Sequence, residues 1–178
     1  WVTVEGLSET LEGAARPAHF RGVTTIVMKL FQLVLPDVSF FGAKDYQQQL
    51  LIRRMVLDLD VPVEIVTCPT VREPDGLAMS SRNIYLSRED RESALSLSQA
   101  LRLAERRLQT GEHDVARIEQ EMLDLLSSRP GVEPDYAVLA DADSFERLKA
   151  PRPRMVALVA ARVGATRLID NLSIVLGA

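Results

Sequence analysis

The sequence predicts a mixed α/β chain: half of a doubly wound α/β unit, then a compact α+β module. Three observations carry this. Through residue 68 the apolar patterns alternate as helix, strand, helix, strand, the order that builds a parallel sheet flanked by helices. After Cys68 the texture breaks, with Pro69, Pro74, Asp75 and Gly76 close together, and this marks a boundary between domains taken as residues 1–70 and 71–178. Beyond it, two amphipathic helical patterns precede three strand patterns.

Taken in order, residues 1–13 open on a strand-like alternation without lead-in. Trp1 stands first, with no charged or apolar leader behind it, so the expectation is a chain that begins within a fold. From residue 20 to 35, Val23, Ile26, Val27, Leu30, Phe31 and Val34 recur at helical spacing until Pro36 stops them. Val38, Ser39, Phe40 and Phe41 read as a buried strand turning at Gly42. Asp45 is placed to cap a helix that buries Leu50, Leu51, Met55 and Leu59. The β-branched run from Val63 to Cys68 has the character of a strand covered on both faces.

In the second domain, Ser87 with Asp90 three residues on is an acidic variant of the capping box. It starts a helix with Ala94, Leu97, Leu101, Ala104 and Leu108 on one face, ended by Gly111. A second helix runs over 114–127 and stops at Pro130-Gly131. Strands are predicted over 135–140, 155–163 and 166–175, the last two joined at Gly164-Ala165 as a hairpin.

Composition narrows the function classes. The 178 residues are 47% hydrophobic and 26% charged, which excludes a disordered or fibrous chain. A single cysteine, Cys68, removes a disulfide framework and a cysteine-based zinc site, and His19 and His113 are the only imidazoles, so no protein metal site is expected. A reducing, cytoplasmic setting is the expectation. The net charge of -4 and pI near 5.3 give no electrostatic footprint for nucleic acid, and the apolar runs are too short to span a membrane. Arg102, Arg106 and Arg107 read as a solvated helix face beside Glu105. His113 reads as a surface residue, His19 as a helix-start side chain satisfied by backbone, and Cys68 as an inert core thiol.

Two segments carry chemistry. The first is F-F-G-A-K-D-Y-Q-Q, residues 40–48, leaving the carboxyl end of a parallel strand where such sheets bind ligands. Gly42 permits close backbone approach, the amides opening the next helix favour an anion, and Lys44 neutralises phosphate charge. Gln47 or Gln48 carries both donors and an acceptor for a hydroxylated or carboxylated substrate. Alone, the segment reads better as a solvated Lys44-Asp45 pair at an ordinary helix start. The second is D-G-L-A-M-S-S-R-N, residues 75–83, where two hydroxyls and the Arg82 guanidinium can wrap phosphate oxygens. Alone, it is a polar linker in which Ser80, Ser81 and Asn83 cap turns.

Together and in this order, with L-E-G-A-A-R-P-A-H-F-R-G-V before them, C-P-T-V-R-E-P leading into the second segment, and the closing A-A-R-V-G-A-T-R-L-I-D-N, the motifs change the odds. The sequence resembles the pantothenate synthetase family over nearly its whole length. The resemblance implies a partial Rossmann-like nucleotide-binding domain followed by a small α+β lid domain carrying the M-S-S-R loop. It implies an ATP-dependent ligase that joins pantoate to β-alanine through a pantoyl adenylate, with ATP entering as its Mg2+ complex and no tightly bound cofactor.

Carried over by position, it implies ATP contacts from Gly42, Ala43, Lys44 and Asp45, from the Val71 backbone, and from Met79, Ser80, Ser81 and Arg82. Lys44, Ser80, Ser81 and Arg82 take the catalytic places, and Gln48 the pantoate place. A homodimer is the expected assembly. Ala43 departs from the family's usual glutamate, and the family's H-x-G-H-type histidine motif lies upstream of anything present. The resemblance therefore implies a C-terminal part of such an enzyme, expected to be inactive alone. The alternatives are a non-catalytic folding or dimerisation module of the same family, and a tRNA-ligase fragment, which the acidic charge disfavours.

Overall fold

The computed structural model describes residues 1–177. Contacts divide the chain into two compact units, Trp1–Pro69 and Thr70–Ala178.

In the first unit, α1 (Glu12–Ala15) and α2 (His19–Val34) lead into β1 (Val38–Gly42), a 3-10 turn (Ala43–Asp45), α3 (Tyr46–Asp58) and β2 (Glu64–Cys68). Strands β1 and β2 pair in parallel, Val38 opposite Glu64 and Gly42 opposite Cys68. Phe20 and Phe31 of α2 pack with Leu51, Ile52, Met55 and Val56 of α3, and Phe41, Val63 and Ile65 close this core from the sheet side. Complete burial of one leucine or isoleucine side chain contributes roughly 1.5–3 kcal/mol, so the fully buried Leu51 and Ile52 anchor the helix that carries the first motif.

Four expectations need correction here. The strands are not buried on both faces: Phe41 and Ile65 point into the core, whereas Phe40, two-thirds exposed, lies with Val38 on the open face of the sheet. Cys68 shares the register of the exposed Gly42 and is half-buried, so it is not a core thiol. Leu59 falls just past the end of α3 and is exposed, while Ile52 and Val56 fill the face assigned to it. The opening residues form no strand; their backbone is satisfied by α2, with Thr25 Oγ1 accepting from the Val2 N–H at 2.9 Å and Thr24 Oγ1 donating to the Val2 carbonyl at 2.7 Å.

In the second unit a hairpin-like loop leads to a 3-10 turn (Ser81–Tyr85), then α4 (Arg88–Gln109), α5 (Val115–Ser127) and the antiparallel strands β3 (Val132–Asp141), β4 (Arg154–Val163) and β5 (Thr166–Val175), ordered β3-β4-β5. Ser87 Oγ accepts from the Asp90 amide at 3.0 Å and Asp114 caps α5 through the Arg117 amide, each supplying a partner for one orphan N–H of a first turn. Ala94, Leu97, Leu101, Ala104 and Leu108 of α4 are all buried against Ile118, Met122 and Leu126 of α5 and the facing side chains of the sheet. Thr166 pairs with Val163 across the Gly164-Ala165 turn, where Gly164 takes φ +54°. Pro134 is tolerated because β3 is an edge strand with a register shift between Pro134 and Tyr136.

Candidate functional site

The sequence-assigned residues fall into two groups, one in each unit. In the first unit, β1 and β2 end side by side at Gly42 and Cys68. The chain then tightens into the 3-10 turn, which brings Gly42, Ala43, Lys44 and Asp45 to the carboxyl end of the sheet. A Cβ on Gly42 would meet nothing within 4 Å, so the space over this backbone is open to a ligand. Ala43 and Lys44 are half-buried and Asp45 is exposed. Asp45 holds the N-cap position of α3, but its side chain makes no capping bond.

The three consecutive glutamines divide their work. Gln47 is 4% exposed and fully used: its Nε2 donates to the carbonyls of Leu7 at 2.7 Å and Thr10 at 2.8 Å, and its Oε1 accepts from the Glu12 N–H at 3.1 Å. That removes Gln47 from the pair of substrate candidates, because a buried amide already satisfied on both ends has nothing left to offer. Gln49 is buried too, its Oε1 accepting from Arg53 and from the Thr67 hydroxyl. Gln48 is half-buried, and among the described residues no hydrogen bond engages its amide. His19 opens α2 with Nε2 3.0 Å from Arg16 Nη1.

In the second unit, residues 71–79 fold back on themselves. The Met79 N–H donates to the Val71 carbonyl at 2.9 Å and the Glu73 N–H to the Leu77 carbonyl at 2.8 Å. The turn between them is closed by the Gly76 N–H on the Glu73 carbonyl, with Pro74 second and Gly76 at φ +95°, a conformation that suits glycine. The loop delivers Met79 to the surface and ends at Ser80, whose Oγ accepts from the Arg82 N–H at 3.2 Å as the cap of the 3-10 turn. Val71, Met79, Ser81 and Arg82 are exposed. Arg82 Nη1 donates to the Arg167 carbonyl at 3.2 Å.

Sequence reasoning missed what holds this loop. Arg72 donates twice to the buried Asp170 of β5, at 2.7 and 3.0 Å, and again to the carbonyls of Asn171 and Gly76. Arg91 of α4 donates to Glu73 at 2.7 Å and to Asp75 at 2.6 Å. Glu73 also accepts from Asn83 Nδ2 at 2.9 Å. The Arg91 hydrogen bond, then the Asn83 bond, holds the Glu73 carboxyl below its ordinary range. For Asp75 the Leu77 amide comes first, with Arg91 adding to it, and both acids raise Arg91 in turn. The available signal was charge: R-E-P-D in a loop, followed by an arginine near the start of a helix. Its pairing was not legible.

Among the described residues no group of three or more His, Cys, Asp or Glu is placed to hold a metal, and no helix is long and apolar enough to cross a membrane. His113 is exposed, and Arg102 and Arg107 pair with Glu105 and Glu121 on the solvent side.

The family model for pantoate-beta-alanine ligase matches residues 1–173. The chain is 52% identical over 172 residues to the pantothenate synthetase of Moorella thermoacetica, covering 97% of this chain and 61% of that protein. With the pantothenate synthetase of Syntrophotalea carbinolica it shares 50% identity over 171 residues, 96% of this chain and 60% of the relative. The crystal structure of pantothenate synthetase from Thermus thermophilus superposes with a TM-score of 0.92 at 45% identity, covering 96% of this chain and 62% of that one. A pantoate-beta-alanine ligase from Francisella tularensis, complexed with beta-gamma ATP and beta-alanine, superposes with a TM-score of 0.70 at 31% identity, covering 97% and 57%. The chain thus spans about three-fifths of the length of these relatives, and its fold is theirs over that span: part of a Rossmann-like α/β unit followed by a C-terminal α+β unit.

Proposed function

The chain belongs to the pantoate-β-alanine ligase family, and from that premise we propose that it supplies part of the active site of an ATP-dependent ligase. The ligase condenses pantoate with β-alanine through a pantoyl adenylate. In the first half-reaction a pantoate carboxylate oxygen attacks the α-phosphorus of ATP, and the bond to the β-phosphate breaks to release pyrophosphate. In the second, the β-alanine amine attacks the activated acyl carbon, and AMP leaves as the amide forms.

The observation that carries this reading is the state of the Ser80–Arg82 turn. Ser81 and Arg82 are exposed and Ser80 is half-buried, while the loop that leads into the turn is held by two sets of ion pairs, Arg72 with Asp170 and Arg91 with Glu73 and Asp75. Donors held in place before charge develops stabilise a transition state without reorganisation. Arg82 and Lys44 take the charge of the departing phosphates, and Ser80 and Ser81 offer hydroxyls to phosphate oxygens. Gly42, Ala43, Asp45, Val71 and Met79 complete the nucleotide contacts, the Ala43 and Val71 contacts through backbone. Gln48, whose amide no described residue engages, orients pantoate. Mg2+ arrives with ATP as part of the substrate. By function, residues 1–70 are the nucleotidyltransferase part and 71–178 the lid carrying the serine–arginine loop. ATP chemistry and a lone cysteine fit a cytoplasmic setting.

We also assign this family member a homodimeric state, supported by the apolar residues that the first unit leaves in solvent. Leu30, Leu33 and Val34 of α2 and Phe40 of β1 are each more than half exposed, and burying such surface favours association.

The experiment is pantoate-dependent exchange of labelled pyrophosphate into ATP. It is run with this chain alone and with the part of a full-length relative that it does not match added as a separate polypeptide. Exchange that needs pantoate and is lost on Lys44→Ala supports the reading. Exchange indifferent to both contradicts it.

A further inference from the structure

The serine–arginine loop reaches the rest of its unit chiefly through residues that contact no proposed ligand. The Arg82 side chain is bonded to the Arg167 carbonyl. The next residue, Asn83, is tied much more firmly: its Nδ2 donates to Glu73 Oε1 at 2.9 Å and to the Ala78 carbonyl at 3.1 Å, and its N–H donates to the Ser80 carbonyl at 3.0 Å. Those bonds span Ser80–Asn83 from both ends. Asn83 depends in turn on Glu73, and Glu73 is held by its second oxygen, which accepts from Arg91 Nη2 at 2.7 Å. Arg91 lies in the first turns of α4, whose apolar face is packed into the unit's core. A continuous line of contacts therefore runs from a rigid helix through Arg91 and Glu73 to Asn83, one residue from the guanidinium assigned to ATP phosphates.

The division of labour within Glu73 is specific. One carboxylate oxygen serves the helix and the other serves the loop, so the side chain is a strut between two elements. A glutamine in its place keeps an oxygen able to accept from Asn83 but presents an NH2 where Arg91 donates. An alanine removes both contacts. The two variants thus separate the loop contact from the helix contact.

We propose that Glu73 is a positioning residue for the serine–arginine loop, bridging Arg91 of α4 to Asn83 and so setting where Ser80, Ser81 and Arg82 stand before ligand arrives. The proposal rests on the reading that this loop binds ATP, and it deepens that reading by naming what pre-organises the loop. A contact that only stabilises the fold would lower stability without changing a loop's order. A strut also governs the loop's conformational freedom, whose loss on binding is charged against affinity.

Two measurements on the chain as it stands test this. The first is amide hydrogen exchange at Asn83, read against amides in the core of α4, in the native chain, Glu73→Gln and Glu73→Ala. Glu73→Ala is expected to speed Asn83 exchange by about tenfold while leaving the α4 amides unchanged, because one accepted hydrogen bond accounts for a change of that order. Glu73→Gln, which keeps the Asn83 contact but loses the Arg91 anchor, is expected to speed it by an intermediate factor, and native protection in Glu73→Gln overturns the bridge to Arg91. Equal protection in all three proteins overturns the proposal, as does a loss that extends equally to the α4 core. The second is calorimetric titration with ATP and Mg2+: Glu73→Ala is expected to bind about tenfold more weakly, and Glu73→Gln to fall between Glu73→Ala and native. Altered Asn83 exchange with unaltered ATP affinity in a chain that does bind ATP overturns the proposal. If the native chain binds no ATP, the nucleotide reading fails, and the exchange experiment alone upholds or overturns the strut.

Discussion

Arg72 and Asp170, 98 residues apart in sequence, meet in a two-pronged ion pair at 2.7 and 3.0 Å, with Asp170 4% exposed. The pair fastens the start of the serine–arginine loop to β5. Taking one partner away leaves a buried charge without compensation, whereas replacing both with apolar groups removes the desolvation cost as well. Asp170→Ala is expected to destabilise the chain by about 3 kcal/mol, and Arg72→Met combined with Asp170→Leu by clearly less. Urea unfolding of the single and double variants checks this, and a single variant as stable as the native chain contradicts it.

Gln47 is expected to act on stability and not on ligand. Gln47→Leu strips the carbonyls of Leu7 and Thr10 of their side-chain donor, a loss of about 2–3 kcal/mol for a buried amide with several partners. Thermal unfolding reports the loss. Proteolysis within residues 5–12 reports where it falls, because those bonds hold that segment to α3.

Much of the fold was legible because it rests on local patterns. The α4 face from Ala94 to Leu108, the caps Ser87 and Asp114, and the Gly164-Ala165 hairpin each follow from residues close in sequence. What escaped depends on distant partners. Gln47 and Gln48 are indistinguishable until the chain 35 to 40 residues earlier comes to rest on one of them. The strand-like alternation of residues 1–4 is overridden because Thr24 and Thr25 of α2 take the backbone bonds of Val2. The strand around Phe40 reads as buried in the sequence because apolar runs do not say which sheet face is covered. For the candidate site, both motif loops stand out in the sequence, but the Arg72, Glu73 and Arg91 network behind one of them does not, since an R-E-P-D stretch looks like any polar linker.

Asp141 gives a pH signature. Its carboxyl accepts from the N–H groups of Ser144 at 2.8 Å and Asp143 at 3.0 Å and from Arg152, and the Ser144 amide foremost lowers it to about 2. The folded value lies below the unfolded one, so the stabilisation is fully present above about pH 4 and is lost as pH falls towards 2. Stability measured from pH 6 to pH 2.5 is expected to fall less steeply in Asp141→Asn than in the native chain, with a difference on the order of 2 kcal/mol. Parallel profiles would contradict it.

Gln48 is expected to separate the two substrates. In the exchange assay, Gln48→Ala should raise the pantoate concentration for half-maximal rate by about tenfold and that of ATP by less than about threefold, as loss of one oriented hydrogen-bonding group would do. A larger effect on ATP than on pantoate contradicts the assignment.

The central claim is that Lys44 and Arg82 both bind the polyphosphate of ATP. Calorimetric titration of ATP with Mg2+ into the native chain, Lys44→Ala and Arg82→Ala, at one fixed salt concentration, tests it most directly. Each substitution is expected to weaken binding by about ten- to a hundredfold, the range for a charge-assisted contact removed from a partly desolvated phosphate. Affinities equal to that of the native chain in both variants would contradict the account.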